Sequence, residues 1–122
     1  VPATDVHQLV VDLRRNADAY DGQADAQARA ASVNGVVGDG GAWMTLEKAT
    51  ACRDAADIVE SDSDPTRTLL ERVRELRGQA HARRGEWAEA TRWGDSGAHH
   101  IESIAAIYED AYERLTGHAK VA

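Results

Sequence analysis

The stretch that decides the fold is Asp64–Gly94, DPTRTLLERVRELRGQAHARRGEWAEATRWG. In it Leu69, Val73, Leu76, Ala80, Arg83, Trp87, Ala90 and Gly94 recur at alternating steps of four and three residues. That spacing returns to one side of an α-helix and makes a continuous stripe, the seam by which a bundle helix packs on its neighbours. Asp64 or Ser63 can accept from the free N–H groups of the first turn, and Pro65 suits that turn because it has no donor to leave unpaired. The reading is a helix over about 65–93. Two seam positions break the apolar rule, Arg83 in the middle and Gly94 at the end.

The same spacing extends outward in both directions. Val6, Val10, Leu13, Ala17, Tyr20, Ala24, Gln27 and Ala31 predict a helix over about 5–33 with Thr4 as its cap. Asn34-Gly35 stops it, and glycines at 35, 38, 40 and 41 make a connector. No strand precedes those glycines and no Gly-Lys-Ser/Thr follows, so they do not form a phosphate loop. Leu46, Ala49, Cys52 or Arg53, Ala56 and Val59 predict a helix over about 43–60, with Thr45 as a plausible cap and Trp43 at its entrance. After a turn read at Gly94-Asp95-Ser96-Gly97, with Ser96 as cap, a helix over about 97–116 carries Ile101, Ile104, Ala105, Tyr108, Ala111, Tyr112 and Leu115. Gly117 closes it. No strand alternation interrupts the pattern. The expectation is one all-α domain spanning 1–122, an antiparallel four-helix bundle of two long and two shorter helices.

Composition limits what such a bundle can do. Leu, Ile and Val together number 21 of 122 residues, there is no Phe, and Ala numbers 23. Alanine favours helix and lets helices approach closely, but it buries little apolar surface, so the core is thin. Self-association or a protein partner would supply the missing burial. The net charge of -7 argues against non-specific binding to nucleic acid or anionic membrane, both of which reward a basic surface. No apolar run reaches transmembrane length and no leader pattern is visible, so a cytoplasmic location is expected. Twelve Arg against two Lys, with abundant Ala, Gly and Asp, suggests a high-GC bacterial or phage genome. Cys52 is alone and reads as a small buried hydrophobe.

Candidate chemistry is sparse. The leading expectation is a non-enzymatic protein-interaction module, an oligomeric or adaptor subunit, with Trp93, Arg83, Arg84 and Trp43 as partner-binding residues, because Trp and Arg are favoured interface anchors. No metal or cofactor is expected. The alternative is a magnesium-dependent enzyme: Glu86-Trp-Ala-Glu89 resembles the first half of the acid motif of all-α nucleotide pyrophosphohydrolases, and Asp110-Ala-Tyr-Glu113 would have to supply the second. Those two pairs would hold the metal only if three or four oxygens converged. A third reading is a regulator touching nucleic acid through the seven Arg at 67, 72, 74, 77, 83, 84 and 92. Against it, Glu71, Glu75, Glu86 and Glu89 lie on the same helix, and ordinary ion pairing accounts for the pattern. His99-His100 at a helix start reads as solvent-exposed, since zinc or di-iron sites need such groups on more than one helix.

Overall fold

The computed structural model describes residues 5–87 and 92–117; of residues 85–87 and 92–96 it describes the backbone alone. Four helices follow in order: α1 (Val6–Val33), α2 (Ala42–Ser61), α3 (Pro65–Trp87) and α4 (Arg92–Thr116). No strand occurs among the described residues. No described helix is long and apolar enough to cross a membrane.

The helix ends follow from local chemistry. Asp5, not Thr4, is the observed cap of α1: its carboxylate accepts from the Gln8 N–H at 3.2 Å. Thr4 itself lies outside the described residues. Asn34 and Gly35 end α1 as expected, with Gly35 at φ +69°. The α2 start differs from the reading. Asp39 caps it from the loop, accepting from Gly41 N–H at 3.1 Å and Trp43 N–H at 3.0 Å. Thr45 is no cap; it is buried one turn inside and donates to Gln27 Oε1 of α1 at 2.7 Å. Asp64 accepts from Arg67 N–H at 3.3 Å and Pro65 opens α3. Gly117, at φ +71°, closes α4 and donates to Glu113 O at 2.8 Å.

The turn read at residues 94–97 is helical instead, and α4 begins at Arg92. Ser96 therefore lies inside a helix rather than capping one. A Gly-Asp-Ser-Gly run signals a turn only as a weak local preference, which packing overrides. Trp93 accordingly belongs to α4, not to the end of α3.

The helices pack as a bundle in two pairs. α1 lies along α2 and α3 along α4, and the pairs meet chiefly through α2 and α4. Arg14 bonds Glu60, Arg53 bonds Asp18 and Asp21, and Thr45 bonds Gln27, so numbers fall on α2 as they rise on α1. Arg77 bonds Glu109 and Arg84 bonds Glu102, the same order between α3 and α4. α2 is the central element. It buries Ala42, Thr45, Ala49, Cys52, Ala56 and Val59 on one side and Ala51, Ala55 and Ile58 on another. Five of these nine buried residues are alanine, so the helix can be approached from several directions at once.

Large side chains are concentrated at one end of this core. Leu9, Val10, Leu13, Ile58, Val59, Leu69, Val73, Ile104 and Tyr108 form a contiguous cluster with Ala51, Ala55, Ala56 and Ala111. Toward the opposite end the buried apolar residues are Ala24, Ala31, Ala42, Ala49, Ala80 and Ala98. This second end, here called the pole, is where α1 and α3 finish and α2 and α4 start.

The expected α3 seam holds at Leu69, Val73 and Ala80, but not at Arg83, which is exposed. An α-helix turns once per 3.6 residues, so a 3.5-residue repeat slides off its own face over several turns. The side chain that follows Ala80 inward is Arg84, half-buried against α4. Arg83 instead lies over Gly97, whose missing Cβ leaves room for the guanidinium.

Candidate functional site at the alanine-lined pole

Small residues leave space where helices separate, and the pole shows it. A cavity of about 560 Å³ opens there, with walls from every helix and from the α1–α2 connector. Gln23 and Gln27 come from α1, Thr45 and Lys48 from α2, Arg84 from α3, and His99, His100 and Ser103 from α4. Gly40 and Gly41 form its rim. Both have positive φ, and at Gly40 a Cβ would stand 3.1 Å from Gln27 O and 3.2 Å from Ala31 Cβ. Only glycine lets the connector lie this close to α1.

The polar walls are held in place from behind. The Thr45–Gln27 bond fixes one wall. Arg84 makes a two-pronged bond to Glu102, one prong at 2.9 Å, and this guanidinium holds the Glu102 carboxyl below its ordinary pKa. Lys48 Nζ lies 6.0 Å from the centre of the Tyr20 ring, within cation–π range. His100 is 10% exposed, and its ring meets the Trp43 ring edge-on at 5.4 Å. Among the described residues its Nε2 has no hydrogen-bond partner, and Glu47 Oε2 lies 3.6 Å from it. His100 is thus not the solvent-exposed histidine the sequence suggested, whereas His99 is exposed.

Beside the cavity lies an apolar surface. Among the described residues, Val33, Val36, Val37, Trp43 and Leu46 are large apolar side chains left exposed within one short stretch. Val37 is fully exposed and Trp43 is 52% exposed. Of the residues expected to bind a partner, Trp43, Arg83 and Arg84 are all at the pole, tied to α4 by His100, Gly97 and Glu102 respectively. The Trp93 side chain lies outside the described ones. The valines of the connector were missed, because a Gly-rich linker draws attention to its glycines and not to the side chains it displays.

The acid quartet falls partly outside the described side chains. The Glu86 side chain and Glu89 lie outside the described residues. Asp110 is exposed on a separate hollow of about 260 Å³ that also touches Asn16, Tyr20 and Cys52. Among the described residues no group of three or more His, Cys, Asp or Glu side chains could hold a metal ion. Burial pushes the Cys52 thiol up to about 11, so it is a poor nucleophile near neutral pH.

The Arg face of α3 carries many carboxylate partners. Arg67 pairs with Glu71 on its own helix, Arg72 with Asp54 on α2, and Arg77 and Arg84 with Glu109 and Glu102 on α4. Arg74 and Arg83 are exposed. No protein-family model matches the chain, and no curated protein or solved structure shows significant similarity to it.

Proposed function

We propose that the protein is a non-enzymatic protein–protein interaction module: a cytoplasmic, antiparallel four-helix bundle that self-associates through its pole. The observation that carries this reading is the cluster of Val33, Val36, Val37, Trp43 and Leu46, exposed together next to an end of the core built from alanine. Contiguous exposed apolar surface marks association sites, and aromatic residues dominate their energetics. A free, buried Cys52 accords with a reducing compartment.

The charges of the pole favour a second copy as the occupant. A two-fold contact brings a surface against itself, so it needs both signs of charge. Arg83 is exposed and Glu47 is more than half exposed. Each copy also carries a net charge of -7, which opposes association until salt screens it.

Sedimentation equilibrium over a range of protein and salt concentrations tests the proposal. The expected result is a mass that rises from monomer toward dimer with concentration, more readily at high salt. Val37→Ser with Trp43→Ser is expected to hold the chain monomeric without changing its helical content. A wild-type chain that stays monomeric under every condition removes the reading.

A further inference from the structure

We propose that the cavity at the pole is a binding site for a small organic anion, one presenting phosphate or carboxylate oxygens. Its walls run against the charge of the whole molecule. The chain has 21 Asp and Glu against 14 Lys and Arg. Yet the described residues lining this cavity include Lys48, Arg84, His99 and His100 and no carboxylate. Glu47 and Glu102 do not line it: Glu102 bonds Arg84, and Glu47 Oε2 is 3.6 Å from His100 Nε2. Two full positive charges in the wall of a concavity, Lys48 and Arg84, draw anions to it.

The remaining walls are polar. Gln23 and Gln27 carry amide N–H groups that can donate to oxygens, while the Thr45 and Ser103 hydroxyls donate to Gln27 Oε1 and His99 O. The volume, about 560 Å³, falls within the range of small-molecule sites, roughly 300–1,000 Å³. His100 is a nine-tenths-buried imidazole in the same wall, with Glu47 Oε2 3.6 Å from its Nε2.

Titration of the isotope-labelled wild-type chain with adenosine monophosphate, and separately with citrate, tests this by nuclear magnetic resonance. The expected result is a saturable shift of the His100 and His99 imidazole signals with at least one probe, while His7, at the start of α1, does not move. Adenosine monophosphate alone acting identifies a phosphate ester; citrate alone identifies a carboxylate. Lys48→Gln is expected to weaken binding about tenfold, the scale of one lost charge-assisted hydrogen bond. Absence of any saturable shift at millimolar probe overturns the proposal. So does affinity left unchanged by Lys48→Gln in a chain with wild-type helical content.

Discussion

The Tyr108 hydroxyl of α4 donates to Asp54 Oδ2 of α2 at 2.7 Å, and that same oxygen accepts from Arg72 Nε of α3 at 3.3 Å. One carboxylate oxygen therefore joins three helices at the edge of the large-residue core. Tyr108→Phe keeps the ring and removes the hydroxyl, leaving Asp54 its Arg72 bond. The expected cost is about 1–2 kcal/mol, read by urea unfolding. Tyr108→Ala is expected to cost about 3–5 kcal/mol, because it also empties the ring's place in the core.

The same contact sets an alkaline limit. Burial first, then the hydrogen bond and the charge of Asp54, raise the Tyr108 pKa above its ordinary value of 10.0. The folded chain holds this proton more tightly than the unfolded one, so the contribution is complete below about pH 10 and is lost as pH rises toward the native value. Stability measured from pH 9 to 11 is expected to fall, and to fall less steeply in Tyr108→Phe. Equal slopes would show that Tyr108 is not the group responsible.

Arg77 and Glu109 form the second tie worth breaking. The Glu109 side chain is 7% exposed and bonds Arg77 between α3 and α4. Removing the cation leaves a desolvated carboxylate, and breaking a buried pair from one side is costlier than replacing both partners. Arg77→Met is expected to destabilise by about 2–3 kcal/mol, reduced here because Arg77 is itself 39% exposed. Arg77→Met with Glu109→Leu is expected to recover most of that loss. Thermal unfolding of the three chains decides it; a double variant no better than the single one would mean that Glu109 carries no penalty when alone.

These ties explain what the sequence made legible and what it did not. Large apolar residues at helical spacing announced themselves: Val10, Leu13, Leu69, Val73, Ile104 and Tyr108 are all buried as their stripes require. The α3 seam failed after Ala80 because Arg84 continues it by ion pairing, and a hydrophobic pattern cannot display a guanidinium whose carboxylate lies on another helix. The central place of α2 was hidden for a related reason. Alanine is equally at home on a surface and between helices, so Ala51 and Ala55 carried no sign of a second buried side. The pole was half legible: Trp43, Arg83 and Arg84 stood out by type, but the cavity depends on Gln23, Lys48, His99 and His100 arriving from separate helices.

Glycine substitutions separate backbone need from spare room. At Gly40 the left-handed φ of +66° and the close approach to Gln27 O and Ala31 Cβ both oppose a side chain. Gly40→Ala is expected to cost about 1–2 kcal/mol and to loosen the connector from α1. At Gly97 the nearest described atoms belong to Arg83, whose Nη1 would lie 2.7 Å from the new Cβ. A flexible guanidinium can move, and alanine gains about 1 kcal/mol over glycine in a helix interior. Gly97→Ala is therefore expected to be neutral or stabilising by calorimetry. Two equal losses would show that the Arg83 contact is as unyielding as the Gly40 backbone.

Acid should undo the bundle by way of its cross-helix carboxylates. Hydrogen bonds from Arg114, Arg53, Arg14 and Arg84 hold Asp12, Asp21, Glu60 and Glu102 respectively below their ordinary values. The pairs join α1 to α4, α1 to α2, and α3 to α4. The folded chain binds these protons more weakly than the unfolded chain, so the stabilisation is present in full above the ordinary values of 3.8 for Asp and 4.5 for Glu. It disappears as pH falls through the depressed native values. The melting temperature is expected to drop between about pH 4.5 and pH 2.5, and the drop should shrink in Asp12→Asn and again when Glu102→Gln is added. Because these carboxylates are substantially solvent-accessible, half-molar salt should weaken the pairs and flatten the same slope. An acid transition that neither the substitutions nor salt alters would place the proton-sensitive groups elsewhere in the chain.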